Sequence, residues 1–147
     1  NLLPVQKTKL TAEKGAVRRW VVFDADGQVL GRLAGRIVHH LRGKHRADFS
    51  PHQENGDYVV VVNAGKVKVT GGKGEKKIYH THSGFTGGMK STLLKDRLAR
   101  RPAYPLEMAV KRMLPRGRLG RQLYRNLHIY GGSSHPHQSQ KPVAVEV

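Results

Sequence analysis

Trp20-Val21-Val22-Phe23, Asp24-Ala25-Asp26-Gly27, Leu30-Gly31-Arg32-Leu33-Ala34-Gly35-Arg36-Ile37-Val38-His39-His40-Leu41 and Tyr58-Val59-Val60-Val61-Val62 together decide the fold. The first four residues are strand formers, and the Asp-Ala-Asp-Gly that follows is a turn in which Gly27 takes positive φ. Leu30, Leu33, Ala34, Ile37, Val38 and Leu41 then recur at three- and four-residue spacing, which places them on one face of a helix ending near Gly43. The uninterrupted β-branched run after Tyr58 suits a strand covered on both faces. Strand, helix and buried strand in succession predict a right-handed parallel crossover, the unit of layered α/β domains. Gly31 and Gly35, one turn apart, each cost about 1 kcal/mol relative to Ala in a helix interior, so they predict a close approach to the sheet or to another backbone. Asp26 is expected to cap that helix.

Outward from this unit, residues 1–16 mix Lys7, Lys9 and Lys14 with Pro4 and Gly15 without a sustained period and read as an extended basic arm. Val67-Lys68-Val69 and Ile78-Tyr79-His80-Thr81-His82 predict short strands around a Gly71-Gly72-Lys73-Gly74 turn. Leu93, Leu94 and Leu98 share a helix face that stops by Arg101, because Pro102 disfavours helical geometry in the residue before it. Leu106, Ala109, Val110, Met113 and Leu114 predict a second amphipathic helix, and Leu119, Leu123 and Leu127 a third, with Leu127 to Tyr130 as an alternative last strand. The expected architecture is α/β: a three-layer core with a mostly parallel central sheet, then a basic helical segment, with extended termini. A single domain is expected over residues 17–131, with an extended tail over residues 132–147.

The 147 residues carry 27 Lys+Arg against 10 Asp+Glu, a formal charge of +17. That imbalance opposes compaction and draws polyanions. With no cysteine there is no disulfide, thiolate nucleophile or Cys-based metal site. The longest apolar runs fall far short of the about 20 residues of a membrane span, and the chain reads as cytosolic.

The densest charge lies in residues 90–125: Lys90, Lys95, Arg97, Arg100, Arg101, Lys111, Arg112, Arg116, Arg118, Arg121 and Arg125 stand against Asp96 and Glu107. Arginine presents a planar fork of donors that matches phosphate oxygens, and a stripe at helical spacing follows a curved nucleic-acid backbone. Smaller clusters occupy turns, at Arg42-Gly43-Lys44-His45-Arg46 and at Lys73, Lys76 and Lys77. Charge on several surfaces suits folded RNA better than one duplex face. Gly117-Arg118-Leu119-Gly120 matches the G-x-x-G clamp of KH domains, although Arg116 stands where that family has an apolar residue. A plain basic helix–turn–helix connection accounts for it better. Gly71-Gly72-Lys73-Gly74 fails the phosphate-loop pattern, lacking Ser or Thr after the lysine. The pairs His80/His82 and His135/His137 raise metal ligation or a metal-dependent nuclease, yet neither has a third ligand at an established spacing. Asp24, Asp26, Asp48, Glu54 and Asp57 each have a plainer place in a turn or at an element start, and no nucleophile motif is present.

Asp24-Ala25-Asp26-Gly27-Gln28-Val29-Leu30-Gly31-Arg32-Leu33-Ala34, Arg42-Gly43-Lys44-His45, Gly56-Asp57-Tyr58, Asn63-Ala64 and Thr70-Gly71 stand in one order with Tyr79, Gly84 and Gly87-Gly88. Arg100-Arg101-Pro102, Ala109-Val110-Lys111-Arg112-Met113-Leu114-Pro115, Leu119-Gly120-Arg121 and His135-Pro136-His137 continue the series. Together they resemble the family of bacterial-type large-subunit ribosomal protein thirteen over roughly residues 17–142. The resemblance implies an α/β RNA-binding fold with a mostly parallel central sheet and no enzymatic activity, and the glycine and histidine motifs lead to an expectation of no cofactor and no metal. The resemblance also implies a structural place in the large ribosomal subunit of the cytoplasmic ribosome, early in its assembly, beside ribosomal RNA and neighbouring ribosomal proteins. Regulation of a messenger RNA and a metal-dependent nuclease are the alternatives. The residues expected at the RNA are Arg42, Lys44, His45, Arg46, Lys73, Lys76, Lys77, His80, His82, Lys90, Arg97, Arg100, Arg101, Lys111, Arg112, Arg116, Arg118, Arg121, Arg125, His135 and His137.

Overall fold

The computed structural model describes residues 17–145; the expected basic arm of residues 1–16 lies outside them. Strand β1 (Trp20–Asp24), helix α1 (Leu30–Arg42) and strand β2 (Tyr58–Val62) form the expected parallel unit, with Val21 opposite Val59 and Phe23 opposite Val61. A short helix α2 (Lys73–Lys76) follows, then the antiparallel hairpin of β3 (Ile78–His82) and β4 (Met89–Leu93). Helices α3 (Leu94–Arg100), α4 (Tyr104–Met113) and α5 (Arg118–Arg125) lead into β5 (Leu127–Ile129), and the chain returns to a last strand, β6 (Val143–Ala144). The main sheet has the order β5-β2-β1-β6, and all its pairs are parallel.

That order places the layers. From β1 to β2 to β5 the chain steps across the sheet in one direction, so right-handed crossovers put α1 and the later helices on one face. The step back from β5 to β6 belongs on the other face. Packing agrees with this. Val21, Phe23, Val59 and Val61 share one apolar core with Leu33, Ala34, Ile37 and Leu41 of α1, Leu106 and Val110 of α4, and Leu123 of α5. On the opposite face Trp20 stacks on Tyr58 at 4.7 Å, and His137 from the return segment closes over it at 4.9 Å. The Tyr130 hydroxyl lies 2.9 Å from Nε2 of His137, and His128 lies 4.6 Å from that ring, centroid to centroid. The third layer is thus the C-terminal segment itself. An extended tail was expected over residues 132–147; its described part, residues 132–145, crosses the sheet, forms a 3-10 turn at His137–Gln140 and pairs as β6 with β1. A strand of two residues has no periodicity to read.

Other expectations change locally. Val67-Lys68-Val69 makes only a single bridge, Val29 to Lys68, because a 3-10 turn at Ala64–Lys66 takes the chain off the sheet. The glycine turn opens into α2. Leu93 ends β4 opposite Ile78 and leaves Leu94 as the buried residue of α3. Leu127 starts β5 and is not on α5. Met113 faces outward, and Leu114 just beyond α4 fills the core. Asp26 does not cap α1: Val29 holds the N-cap position, and Asp26 pairs with Lys66 at 3.1 Å. Gly43 ends α1 in the left-handed conformation, as the stop signal requires.

Among the described residues, Gly31 and Gly35 meet neither the sheet nor another backbone. A Cβ built on either has nothing within 4 Å. With no steric cost to offset the helix propensity of Ala, Gly35→Ala is expected to stabilise the isolated protein by about 1 kcal/mol, measured by urea denaturation; a loss of stability would contradict the open surface described.

Candidate nucleic-acid interface

The longest cationic surface begins where α4 ends. Lys111, Arg116, Arg121 and Arg125 line a hollow with Pro115, Gly117, Gly120 and Tyr124. Two glycines shape it for different reasons. Gly117, at φ 110° and ψ −160°, occupies backbone space that side chains rarely adopt, and it is the N-cap of α5. Gly120 lies so close to Pro115 that a Cβ would meet the Pro115 carbonyl oxygen. The G-x-x-G stretch is therefore not an open clamp between helices; Arg118, Leu119 and Gly120 are the first turn of α5, and Leu119 packs against the core. Arg118, Arg121 and Arg125 share the outward face, since positions three and four apart are neighbours on a helix. That first turn has no acidic residue and no side-chain cap, so its amides add to the positive field.

A second groove joins this surface from the other side of α4. Gly31, Lys68, Thr70, Lys73, Lys77 and Arg112 line it, and among the described residues no carboxylate does. Lys111 and Arg112, adjacent on α4, open onto the two hollows. The basic turn and the arginine stripe, far apart in sequence, are thus both brought to α4, and the two hollows together are termed the cationic tract. Lys68 belongs to it and escaped the sequence reading, as a lone lysine in a short apolar stretch gives no cluster to notice.

The other expected residues divide by what already holds them. Lys44, Lys76, Lys90 and Arg100 are exposed. Lys77 lies over the Tyr79 ring at 5.4 Å, Arg97 over Tyr104 at 4.8 Å and Arg42 over Phe49 at 5.8 Å, each keeping its charge at an aromatic face. Arg101 reaches Glu107 at 3.0 Å. On the hairpin, His80 and His82 point to one face as expected, but Nδ1 of His80 meets Ser91 Oγ at 2.8 Å and Nδ1 of His82 accepts the Gly84 amide at 2.9 Å. Among the described residues neither belongs to a three-ligand cluster.

Four expected contacts turn inward. Arg46 gives Nε and Nη2 to the Asp48 carboxylate at 2.9 and 3.1 Å and Nη1 to the Val17 carbonyl at 2.6 Å. His45 Nε2 lies 2.9 Å from Asp57 Oδ2. His137 is locked in the aromatic layer, and Nδ1 of His135 accepts its amide at 3.2 Å. The carboxylates opposite these groups were visible in the sequence, but which basic residue each would claim depends on loop closure.

Burial and nearby charge shift several groups. Burial pushes Asp57 up, and this is outweighed by the His40 imidazole, the Arg19 amide, His45 and Arg46, which hold it below the usual carboxylate value. Burial is the main cause lowering His45, against the pull of Asp57. His128 is also held below its ordinary 6.5, by burial and then by His137. The unfolded chain therefore takes up a proton on His128 before the folded one does. Its contribution to stability is complete above 6.5 and is lost as pH falls from there through the lower folded value. The melting temperature is expected to drop between neutral pH and pH about 5, less steeply in His128→Gln; identical pH profiles for the two proteins would contradict this.

The sequence profile described as Ribosomal protein L13 matches residues 18–136. The chain belongs to the ribosomal protein L13 family. Large ribosomal subunit protein uL13 of Treponema denticola is 52% identical over 141 residues, covering 96% of this chain and 99% of its own. The protein of the same name from Symbiobacterium thermophilum is 49% identical over 143 residues, covering 97% and 100%. That from Desulfovibrio desulfuricans is 53% identical over 136 residues, covering 92% and 94%. Ribosomal protein L13 members are structural proteins and not enzymes, which sets aside the nuclease reading of the histidine pairs. In ribosomal protein L13 terms, the matched span takes in α1, the cationic tract and β5 together.

Proposed function

We propose that the chain is a structural constituent of the large ribosomal subunit that binds ribosomal RNA through the tract running from Lys68, Lys73 and Lys77 across Arg112 and Lys111 to Arg116, Arg118, Arg121 and Arg125, and that it supports subunit assembly beside neighbouring ribosomal proteins. Two cationic hollows opened by adjacent residues of α4, with no carboxylate among the described residues lining either, carry the reading. The ion pairs Arg18–Glu54, Arg46–Asp48 and Lys66–Asp26 involve other residues and leave the tract free for phosphates.

The chemistry is positional. Arg and Lys neutralise phosphates and release counterions, while the parallel sheet and its helices hold the cations at set spacings, so shape and backbone carry recognition. Gly31 lines the groove and Gly35 lies one turn along α1 with open space over both; flanked by Arg32 and Arg36, they leave room for a phosphate backbone to lie close to the helix. Titration of the full chain against large-subunit ribosomal RNA at several salt concentrations tests the proposal. A steep fall in affinity with salt is expected, and affinity that stayed flat would reject it.

A further inference from the structure

The C-terminal turn of α1 holds an arrangement that the RNA-facing tract does not use. The Asp57 side chain is only 2% exposed, and its two oxygens have different surroundings. Oδ1 accepts the Arg19 amide at 3.2 Å and lies 3.9 Å from the Arg46 guanidinium. Oδ2 faces two imidazoles, with Nε2 of His45 at 2.9 Å and Nδ1 of His40 at 3.8 Å. The two rings stack with centroids 4.4 Å apart. Nδ1 of His40 is shut off from solvent, its 3.8 Å approach to Asp57 is too long for a hydrogen bond, and among the described residues it has no hydrogen-bond partner. Such a buried orphan costs about 1–3 kcal/mol and calls for an occupant that would satisfy it.

We propose that His40 Nδ1, His45 Nε2 and Asp57 Oδ2 form a binding site for a zinc ion. The three atoms lie within 4.8 Å of one another. Tetrahedral zinc, with bonds of about 2.0–2.1 Å, sets its ligand atoms about 3.3 Å apart. The separations of 2.9 and 3.8 Å bracket that value, so small side-chain rotations complete the geometry. Two imidazoles and one carboxylate suit zinc and its first-row neighbours and do not suit magnesium or calcium. Asp57 is already oriented through its other oxygen, as ligating carboxylates are. The Arg46 charge beside it is offset by Asp48. A hollow lined by Val17, Arg19, Val21 and Val143 opens onto all three ligands, which supplies an entry path and a fourth position for water. Both histidines bind as neutral ligands, His45 moving its ring proton from Nε2 to Nδ1. The ion would tie the end of α1, the loop bearing Lys44 and the start of β2 together.

The test uses the full chain, stripped with a chelator and free of RNA. Cobalt(II), a spectroscopic stand-in that absorbs strongly in the visible when four-coordinate, is titrated first, and zinc is then added. A visible band abolished by one equivalent of zinc is expected, with a melting temperature raised by zinc and not by magnesium. His40→Gln removes the ligand nitrogen together with the ring that stacks on His45, so its fold is checked by circular dichroism; the folded variant should lose the band and bind zinc at least about tenfold more weakly. His45→Gln provides the same loss from a second ligand. His80→Gln/His82→Gln keeps both signals. No band and no melting shift in the parent chain, or either signal retained at full strength in His40→Gln, would overturn the site.

Discussion

Replacing Arg118, Arg121 and Arg125 together with Gln is expected to weaken binding to large-subunit ribosomal RNA by about a hundredfold or more at low salt and to reduce the slope of log affinity against log salt by roughly 2 to 3. The three side chains share the outward face of a helix of eight residues that carries no acid. Under the proposed function each would give a charge-assisted hydrogen bond to phosphate, worth about 1.5–3 kcal/mol, and none has an intramolecular acid among the ion pairs of the described residues. Stability of the free protein should barely change, since exposed substitutions away from caps and cores stay within about 0.5 kcal/mol each. The control is Arg46→Gln, which breaks the Asp48 and Val17 contacts and should lower the melting temperature while leaving the salt slope as it was. Filter binding across a salt series, paired with thermal melts, separates the two. An unchanged slope in the triple variant would remove α5 from the interface.

The second large effect comes from one methyl group. Gly120→Ala places a Cβ against the Pro115 carbonyl oxygen and 2.9 Å from its carbonyl carbon, both backbone atoms. Neither can rotate away, so α5 must shift as a body, taking Leu123 out of the core. Overpacking of this kind costs about 1–3 kcal/mol or more, and the shift also displaces Arg121. Both the urea midpoint and RNA affinity are expected to fall. Gly35→Ala, on a helix face with free space, moves stability the opposite way. Opposite signs for the same chemical change at two helical glycines make a discriminating pair; equal effects would show that α5 does not bear on Pro115 as described.

Those two glycines also show which parts of the fold were legible in the amino-acid sequence. The period of Leu33, Ala34, Ile37 and Leu41, and the β-branched run of β2, carry information about which residues are buried, so the parallel unit could be read directly. What a glycine is for depends on what packs across it. Gly31 and Gly35 were expected to meet protein and meet none, whereas the contact of Gly120 with Pro115 had no local signature. The interface divides along the same line. Arginines at helical spacing on α5 were legible because exposure follows from the apolar stripe beside them. The intramolecular contacts of His45, Arg46 and His137 were not legible because their partners Asp57, Asp48 and Trp20 lie on other loops and strands. Lys68 was missed because only folding brings it beside Lys73 and Arg112.

The pairing of Val21 with Val143 has a consequence in time. Synthesis proceeds from the N-terminus, so β1, α1 and β2 leave the exit tunnel early, and β5 much later. Throughout that interval β1 keeps one open edge, and Trp20 waits uncovered for the ring of His137. The helices that present the arginines are complete before that ring is made. A nascent chain therefore has its cationic side in hand while its other side is unfinished, and the last strand works as a clasp, fastened only when the rest of the molecule is already in place.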